Sequence, residues 1–386
     1  MTALDIVRAA LHTPISGGAW GLPLLLTAEP GATKTSTLRA LARAGGVPCR
    51  VLSPGTDGEG AFGVVPVPDG GRITYPRPEW FDMFGADGAG LVVTDEVTTA
   101  PAMLQASIMG MLTERRVGAA KFPKRVRVIG ACNPVALAAN GFELTAPLAN
   151  RFGHLDWPAP EVDVVTAVWS NMIADEYTDD VPAYDADIDG WLAEEKRVKG
   201  LWTEAFSIAV GLVSSFLRAQ PQMKNRCPDP SSGQASGPWP SDRTWEYAIR
   251  SLASASVHGL SDADSAKFTR GFVGDEAFVA FNAYREALDL PDVAALLDGK
   301  ATFKHNPARL DRTAAVITAA ATMVAAKDSP QSRVDAIWSF FPQWCDGARD
   351  LSVPAMKQLA AAKKHSKVPA AIKFLADINP LLVAAR

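Results

Sequence analysis

Two runs constrain this chain most: LVVTD (Leu91–Asp95) and VRVIGAC (Val126–Cys132). Both are nearly continuous in apolar, β-branched residues. Strands buried on both faces have this pattern; half-exposed strands alternate instead. Pro23–Thr27, Val47–Ser53 and His154–Trp157 read as further strands, with helical patterns between them. Such alternation predicts an α/β core, a parallel sheet covered by helices, over residues 1–160.

Two stretches interrupt the alternation. Between Thr56 and Gly90 the chain is rich in Gly and Pro and holds two β-like pieces, GVVPV and RITYP. It reads as an inserted loop or hairpin. After a helix over Ala100–Thr113, ERRVGAAKFPKRV predicts a second β-hairpin turning through Gly118–Ala120.

Beyond Glu161 the strand signal fades. Helical periods cover Thr203–Arg218, Asp242–Ala255, Asp264–Leu288, Leu310–Ala326, Asp335–Phe340, Val353–Lys364 and Ala370–Ile378. Cys227–Asp242 reads as a loop on composition. The expected organisation is a core at 1–160, a connecting segment and α-helical lid at 161–290, and a helical C-terminal extension at 291–386.

Composition narrows the function classes. The 386 residues carry a net charge of −4, with 48% hydrophobic and 21% charged residues. This is an ordinary globular balance with no basic footprint for nucleic acid. The four cysteines are far apart and the five histidines scattered, so neither a disulfide frame nor a zinc site is expected. No apolar stretch nears the ~20 residues of a membrane span. MTALDIVRAALHT reads as an amphipathic helix, not a signal peptide. The expected compartment is reducing and cytoplasmic. The tryptophans read as packing residues and Lys363–Lys367 as a solvated helix end.

The chemistry-bearing residues follow the strands. AEPGATKTS, Ala28–Ser36, joins the first strand to a helix, where a phosphate loop G-x-x-x-x-G-K-[ST] would sit. Such a loop aims backbone N–H groups and a helix N-terminus at phosphate oxygens. Pro30, Gly31, Lys34, Thr35 and Ser36 suit it. Ala28 and Thr33 stand where the pattern has glycine, and a β-branched residue at positive φ is strained. A plain strand–turn–helix explains the loop equally well.

LVVTDEV ends in Asp95 and Glu96. A carboxylate at a strand end beside a phosphate loop can hold Mg²⁺, and a second can activate water. The same pair could simply open the next helix. Asn133 follows another buried strand, at the edge where parallel strands end together, though Asn-Pro is also a common turn. Arg151 precedes the last short strand. Arg243 sits in the first turn of a helix, where its charge opposes the dipole.

Taken together, Lys34, Asp95–Glu96, Asn133, the NRF containing Arg151 and the SDR containing Arg243 resemble, in order and spacing, an AAA+ ATPase of the MoxR-type branch, over about residues 5–290. The resemblance implies an AAA+ parallel-sheet P-loop core with inserted β-hairpins, an α-helical lid and a helical C-terminal extension. It implies ATP and Mg²⁺ as cofactors, with Pro30, Gly31, Ala32, Thr33, Lys34, Thr35, Ser36 and Asp95 binding nucleotide and Thr35 and Asp95 at the metal. Glu96 then matches the catalytic base and Asn133 the sensor-1 residue. Arg151 matches the arginine finger serving a neighbouring subunit, and Arg243 the sensor-2 arginine. The implied assembly is a homo-oligomeric, hexameric ring. In it the arginines approach the nucleotide from different sides. The implied role is chaperone-like remodelling of a protein client, with a von Willebrand factor A-type protein as the associated partner. Two alternatives stay open: a non-hydrolysing nucleotide-dependent scaffold with a degenerate P-loop, and a DNA-acting AAA+ motor.

Overall fold

In the computed structural model the five apolar runs become one parallel sheet. The residues described are 3–85, 88–138, 141–158, 188–229, 232–288 and 290–384. Helix α1 (Ala3–Leu11) buries Ile6, Val7 and Leu11. Strand β1 (Leu24–Thr27), helix α2 (Lys34–Ala44) and strand β2 (Cys49–Leu52) follow. A short antiparallel pair comes next, β3 (Val67–Asp69) with β4 (Arg72–Thr74), turning at Gly70 and Gly71. Both glycines have positive φ, as a tight hairpin turn requires. Then come β5 (Ala89–Thr94), α3 (Ala102–Met109) and a second antiparallel pair, β6 (Arg116–Val117) with β7 (Ala120–Lys121). β8 (Arg125–Cys132), α4 (Ala146–Ala149) and β9 (Gly153–Asp156) complete this part. The two excursions touch, the Ala119 N–H donating to the Tyr75 carbonyl at 2.9 Å.

The sheet order is β2-β5-β8-β1-β9, all parallel. Leu52 pairs with Thr94, Thr94 with Gly130, Gly130 with Leu25, and Thr27 with Asp156. All five carboxyl ends therefore share one edge. The chain leaves β1 for the far edge at β2, and every later connection within the sheet steps back the other way. Such a reversal is where open α/β sheets take ligands. Leu25, Val92 and Val128 pack with Leu104 and Ile108 of α3 and with Phe81 and Phe84 in one apolar cluster.

The remainder is helical: α5 (Asp189–Ala219), α6 (Asp242–His258), α7 (Asp262–Val273), α8 (Asp275–Leu288), α9 (Val293–Leu297), α10 (Leu310–Ala325), α11 (Gln331–Trp344), α12 (Val353–Ala361) and α13 (Pro369–Ala384). The single helix expected over Asp264–Leu288 is two. Gly274 breaks it at φ 80°, and a Cβ there would lie 2.6 Å from the Pro238 carbonyl oxygen. The expectation of no span-length apolar segment also needs correction. By length and composition alone, α5 could cross a membrane, with a mean hydropathy of 1.4 over 18 residues. The scattered Ser and Thr hid this: Ser207 and Ser215 return their hydroxyls to the helix's own carbonyls. Ala209, Val213 and Phe216 of α5 are buried within the chain.

Contacts divide the chain into two units, Met1–Lys199 with Asn225–Asp275, and Gly200–Lys224 with Glu276–Arg386. The expected boundary at 160 lies outside the described residues, and that at 290 does not coincide with this division. α6 and α7 belong with the sheet because α7 lies directly on β9. A Cβ on Gly271 would sit 2.3 Å from the His154 carbonyl oxygen, and one on Gly153 2.4 Å from the Phe272 ring. In the second unit Val316, Ile337, Trp338, Phe341, Leu359 and Phe374 form the core.

Candidate functional site

The shared edge of the sheet brings three separate motifs together. The loop after β1 ends at Thr33, which caps α2 at φ 55°, ψ 19°. Lys34 opens the helix. Its side chain is buried and folds back, Nζ donating to the Ala28 carbonyl at 3.0 Å, the Glu29 carbonyl at 3.2 Å and Asn133 Oδ1 at 2.9 Å. Burial lowers the Lys34 pKa, while Asp95, Cys132 and Glu96 pull it back up. The ammonium is thus a positive charge held by neutral oxygens and faced by carboxylates.

Thr35, next on α2, donates its hydroxyl to Asp95 Oδ2. Asp95 Oδ1 accepts from the backbone N–H of Glu96 at 2.9 Å. A hydroxyl and a carboxylate side by side are the oxygen ligands a hard divalent cation takes, so Thr35 and Asp95 fit Mg²⁺. Glu96 itself is exposed and sits at φ 51°, a strained conformation of the kind that clusters at functional sites. Ser53, directly after β2, donates to Glu96 Oε2 at 3.1 Å. The Asn133 carbonyl accepts from the Thr98 hydroxyl at 3.1 Å, which fixes the turn after β8 against the one after β5.

The loop is anchored from the other side too. Trp157, directly after β9, donates Nε1–H to the Ala32 carbonyl at 3.2 Å. Gly31 has φ 83°, which glycine adopts at no steric cost. Thr33 adopts the glycine-like left-handed conformation with a β-branched side chain, and its hydroxyl is buried without a hydrogen-bond partner. Strain of this kind costs about 1–3 kcal/mol. Thr33→Gly is therefore expected to raise stability by ~1 kcal/mol and to tighten nucleotide binding several-fold. Thermal melting and titration with a fluorescent nucleotide check this. A flat or weaker affinity means the cradle has adapted around the threonine.

Arg151 and Arg243 lie elsewhere. Arg151 precedes β9, at the opposite edge of the sheet from Lys34. The neighbouring Asn150 accepts from the Ser241 hydroxyl at 2.8 Å and donates to the Trp239 carbonyl at 3.0 Å. That pins the start of α6, and with it Arg243, beside Arg151. Arg151 donates to the Pro147 carbonyl at 2.5 Å, and its Nε is buried without a partner. Desolvation lowers its pKa first, and the positive charge of Arg243 lowers it further. The two arginines thus stand together within one chain. The Asn150–Ser241 bond, between residues far apart in sequence, decides this.

Ser53 and Trp157 were missed as site residues. Their only sequence signal is position, each being the first residue past a strand of the same sheet. Among the described residues, no group of His, Cys, Asp and Glu could hold a metal ion by itself, and the four cysteines are free.

No family model matches this sequence, and no curated protein does. Among solved structures, the chain is similar to a candidate ATPase from Cytophaga hutchinsonii. The match spans 72% of this chain and 78% of that one, at 14% identity and a TM-score of 0.42. So loose an overlap carries no weight for the activity of this chain, which has to be read from its own residues.

Proposed function

We propose that this protein binds ATP with Mg²⁺ at the carboxyl edge of its sheet and hydrolyses it, as a MoxR-type AAA+ machine. The observation that carries this reading is the convergence of Lys34, Thr35, Asp95, Glu96 and Asn133 at one sheet edge, through Lys34–Asn133 and Thr35–Asp95 contacts. Residues 60 and 99 positions apart would have no reason to interlock this way in a plain strand–turn–helix.

In this reading the first-turn N–H groups of α2 and the Lys34 ammonium take the β- and γ-phosphates. Asn133 positions the ammonium. Thr35 and Asp95 hold the metal, which neutralises phosphate charge when bound. Glu96 accepts the proton of the attacking water, and Ser53 orients its carboxylate. Arg151 precedes β9, with Arg243 beside it, so the length of that strand, roughly 13 Å, separates them from their own chain's cradle. They would therefore serve the nucleotide of a neighbouring copy. That requires a heterologous interface that closes into a ring. A hexamer that remodels a protein client, with a von Willebrand factor A-type partner, is the form the sequence resemblance implies.

Steady-state phosphate release tests the reading. Glu96→Gln should lower turnover by about 10²–10⁴-fold and leave nucleotide binding intact, the signature of a lost general base. Unchanged turnover in that variant would remove Glu96 from the chemistry. A non-hydrolysing nucleotide-dependent scaffold is the second reading, favoured by Thr33 in place of glycine with its hydroxyl unpartnered. It predicts nucleotide binding with no turnover in the unaltered protein.

A further inference from the structure

We propose that the cleft at the far end of α2 is a second small-molecule site, for a neutral, planar compound carrying both a hydrogen-bond donor and an acceptor. The cleft measures about 460 Å³, within the range of small-ligand pockets. His12 lines it just past α1, Leu41 and Ala44 at the end of α2, Trp191 and Glu194 at the start of α5, and His258 at the end of α6. Ala44 lies ten residues beyond Lys34 on α2, about 15 Å along the axis. The cleft is therefore separate from the phosphate-type cradle.

Three features define what it would take. Its charges cancel: Arg197 forks onto Glu194 at 2.8 and 2.6 Å, His258 Nε2 lies 3.3 Å from Glu194, and Arg8 lies 3.8 Å from Asp5. A charged ligand would find no excess of opposite charge. Its polar atoms, by contrast, are short of partners. His12 Nδ1 and Trp191 Nε1 are each buried with no hydrogen bond, and native proteins seldom leave such groups unsatisfied. The indole can only donate. His258 is engaged at both nitrogens, Nδ1 lying 2.8 Å from the Ser254 carbonyl and Nε2 3.3 Å from Glu194. Burial and the nearby Arg127 push the His12 pKa down to about 3, so its ring is neutral at physiological pH and carries one N–H and one lone pair.

The wall itself is aromatic. His12 and Trp191 stand with ring centroids 4.6 Å apart at 56°. Trp191 is seated hard against α2's C-terminal glycine, where a Cβ on Gly45 would lie 2.2 Å from the indole. A flat ring laid on this wall completes it, and its own donor and acceptor meet the unpartnered nitrogens.

Saturation-transfer NMR on the full chain tests the site, with nicotinamide and uracil as neutral probes and benzoate and benzylamine as charged comparators. Nicotinamide should bind with a dissociation constant on the order of 1 mM. Ala44→Trp, at the exposed mouth, should weaken it at least about tenfold by occupying the cleft. His12→Phe keeps a ring wall and removes the nitrogen, and should weaken it about fivefold. Absence of transfer to both neutral probes overturns the proposal. So does charged-probe binding as tight as nicotinamide, or unchanged nicotinamide binding in a folded Ala44→Trp. If that variant loses its circular dichroism, His12→Phe decides alone.

Discussion

Arg151→Ala is expected to lower ATP turnover of the assembled protein by about 10³–10⁵-fold, the range measured for a charge-neutralising arginine in phosphoryl transfer. Each chain should still bind nucleotide, because Arg151 lies across the sheet from Lys34. Mixing decides whether it acts between copies. Arg151→Ala chains keep an intact Glu96, and Glu96→Gln chains keep an intact Arg151. A mixed assembly should therefore regain a measurable fraction of the turnover that neither variant shows alone. No recovery on mixing, with assembly verified by light scattering, would place Arg151 outside the reaction. A parallel loss of nucleotide binding would make its role structural within its own chain. Arg243 stands next to Arg151, so Arg243→Ala should show the same complementation pattern. The two losses should be less than additive, because they act at one place.

The second large effect concerns stability. Arg127, in the central strand β8, is 0% exposed. Its Nη2 lies 2.7 Å from Glu195 Oε1 of α5, and Arg125 Nε lies 2.9 Å from Oε2 of the same carboxylate. Nε donates to the Leu11 carbonyl at 3.1 Å, and the guanidinium covers the Trp191 ring at 4.5 Å. One buried cation thus ties the sheet to α1 and α5. Burial pushes its pKa down to about 10, while Glu195 pulls it up. Glu195→Ala leaves that charge unpaired and should cost about 3–5 kcal/mol. Replacing both partners, as Arg127→Met with Glu195→Leu, should recover most of the loss, because apolar residues of similar volume need no counter-charge. Urea denaturation of the two variants beside the unaltered protein measures this. A Glu195→Ala cost below ~1 kcal/mol would mean that water reaches the site.

Arg127 shows where sequence reading stops. VRVIGAC reads correctly as a buried strand, yet nothing local says what its arginine faces. Glu195 is 68 positions away, ahead of the helical period read from Thr203 onward. The candidate site divides in the same way. Lys34, Thr35, Asp95, Glu96 and Asn133 were legible because each directly follows a recognisable strand or loop. A parallel sheet then brings strand ends together with no further information. Ser53 and Trp157 follow strands as well, but common residue types in unmarked positions acquire meaning only when Glu96 and Ala32 lie opposite them.

Short-range order, then, was available from the chain alone. Strand and helix periods, the glycine-rich turns and the left-handed position of Thr33 arise from forces acting over a few residues, and the limits of the five sheet strands agree to within two residues, while GVVPV shares only Val67 with β3. Long-range order was not. The partnership of Arg151 with Arg243, the docking of α7 on β9, the buried Arg127 and the cleft beside Trp191 join residues from distant parts of the chain. Such contacts form only when backbone hydrogen bonding and apolar burial have placed whole elements. A pattern with a period of two or 3.6 residues carries no record of which elements those will be.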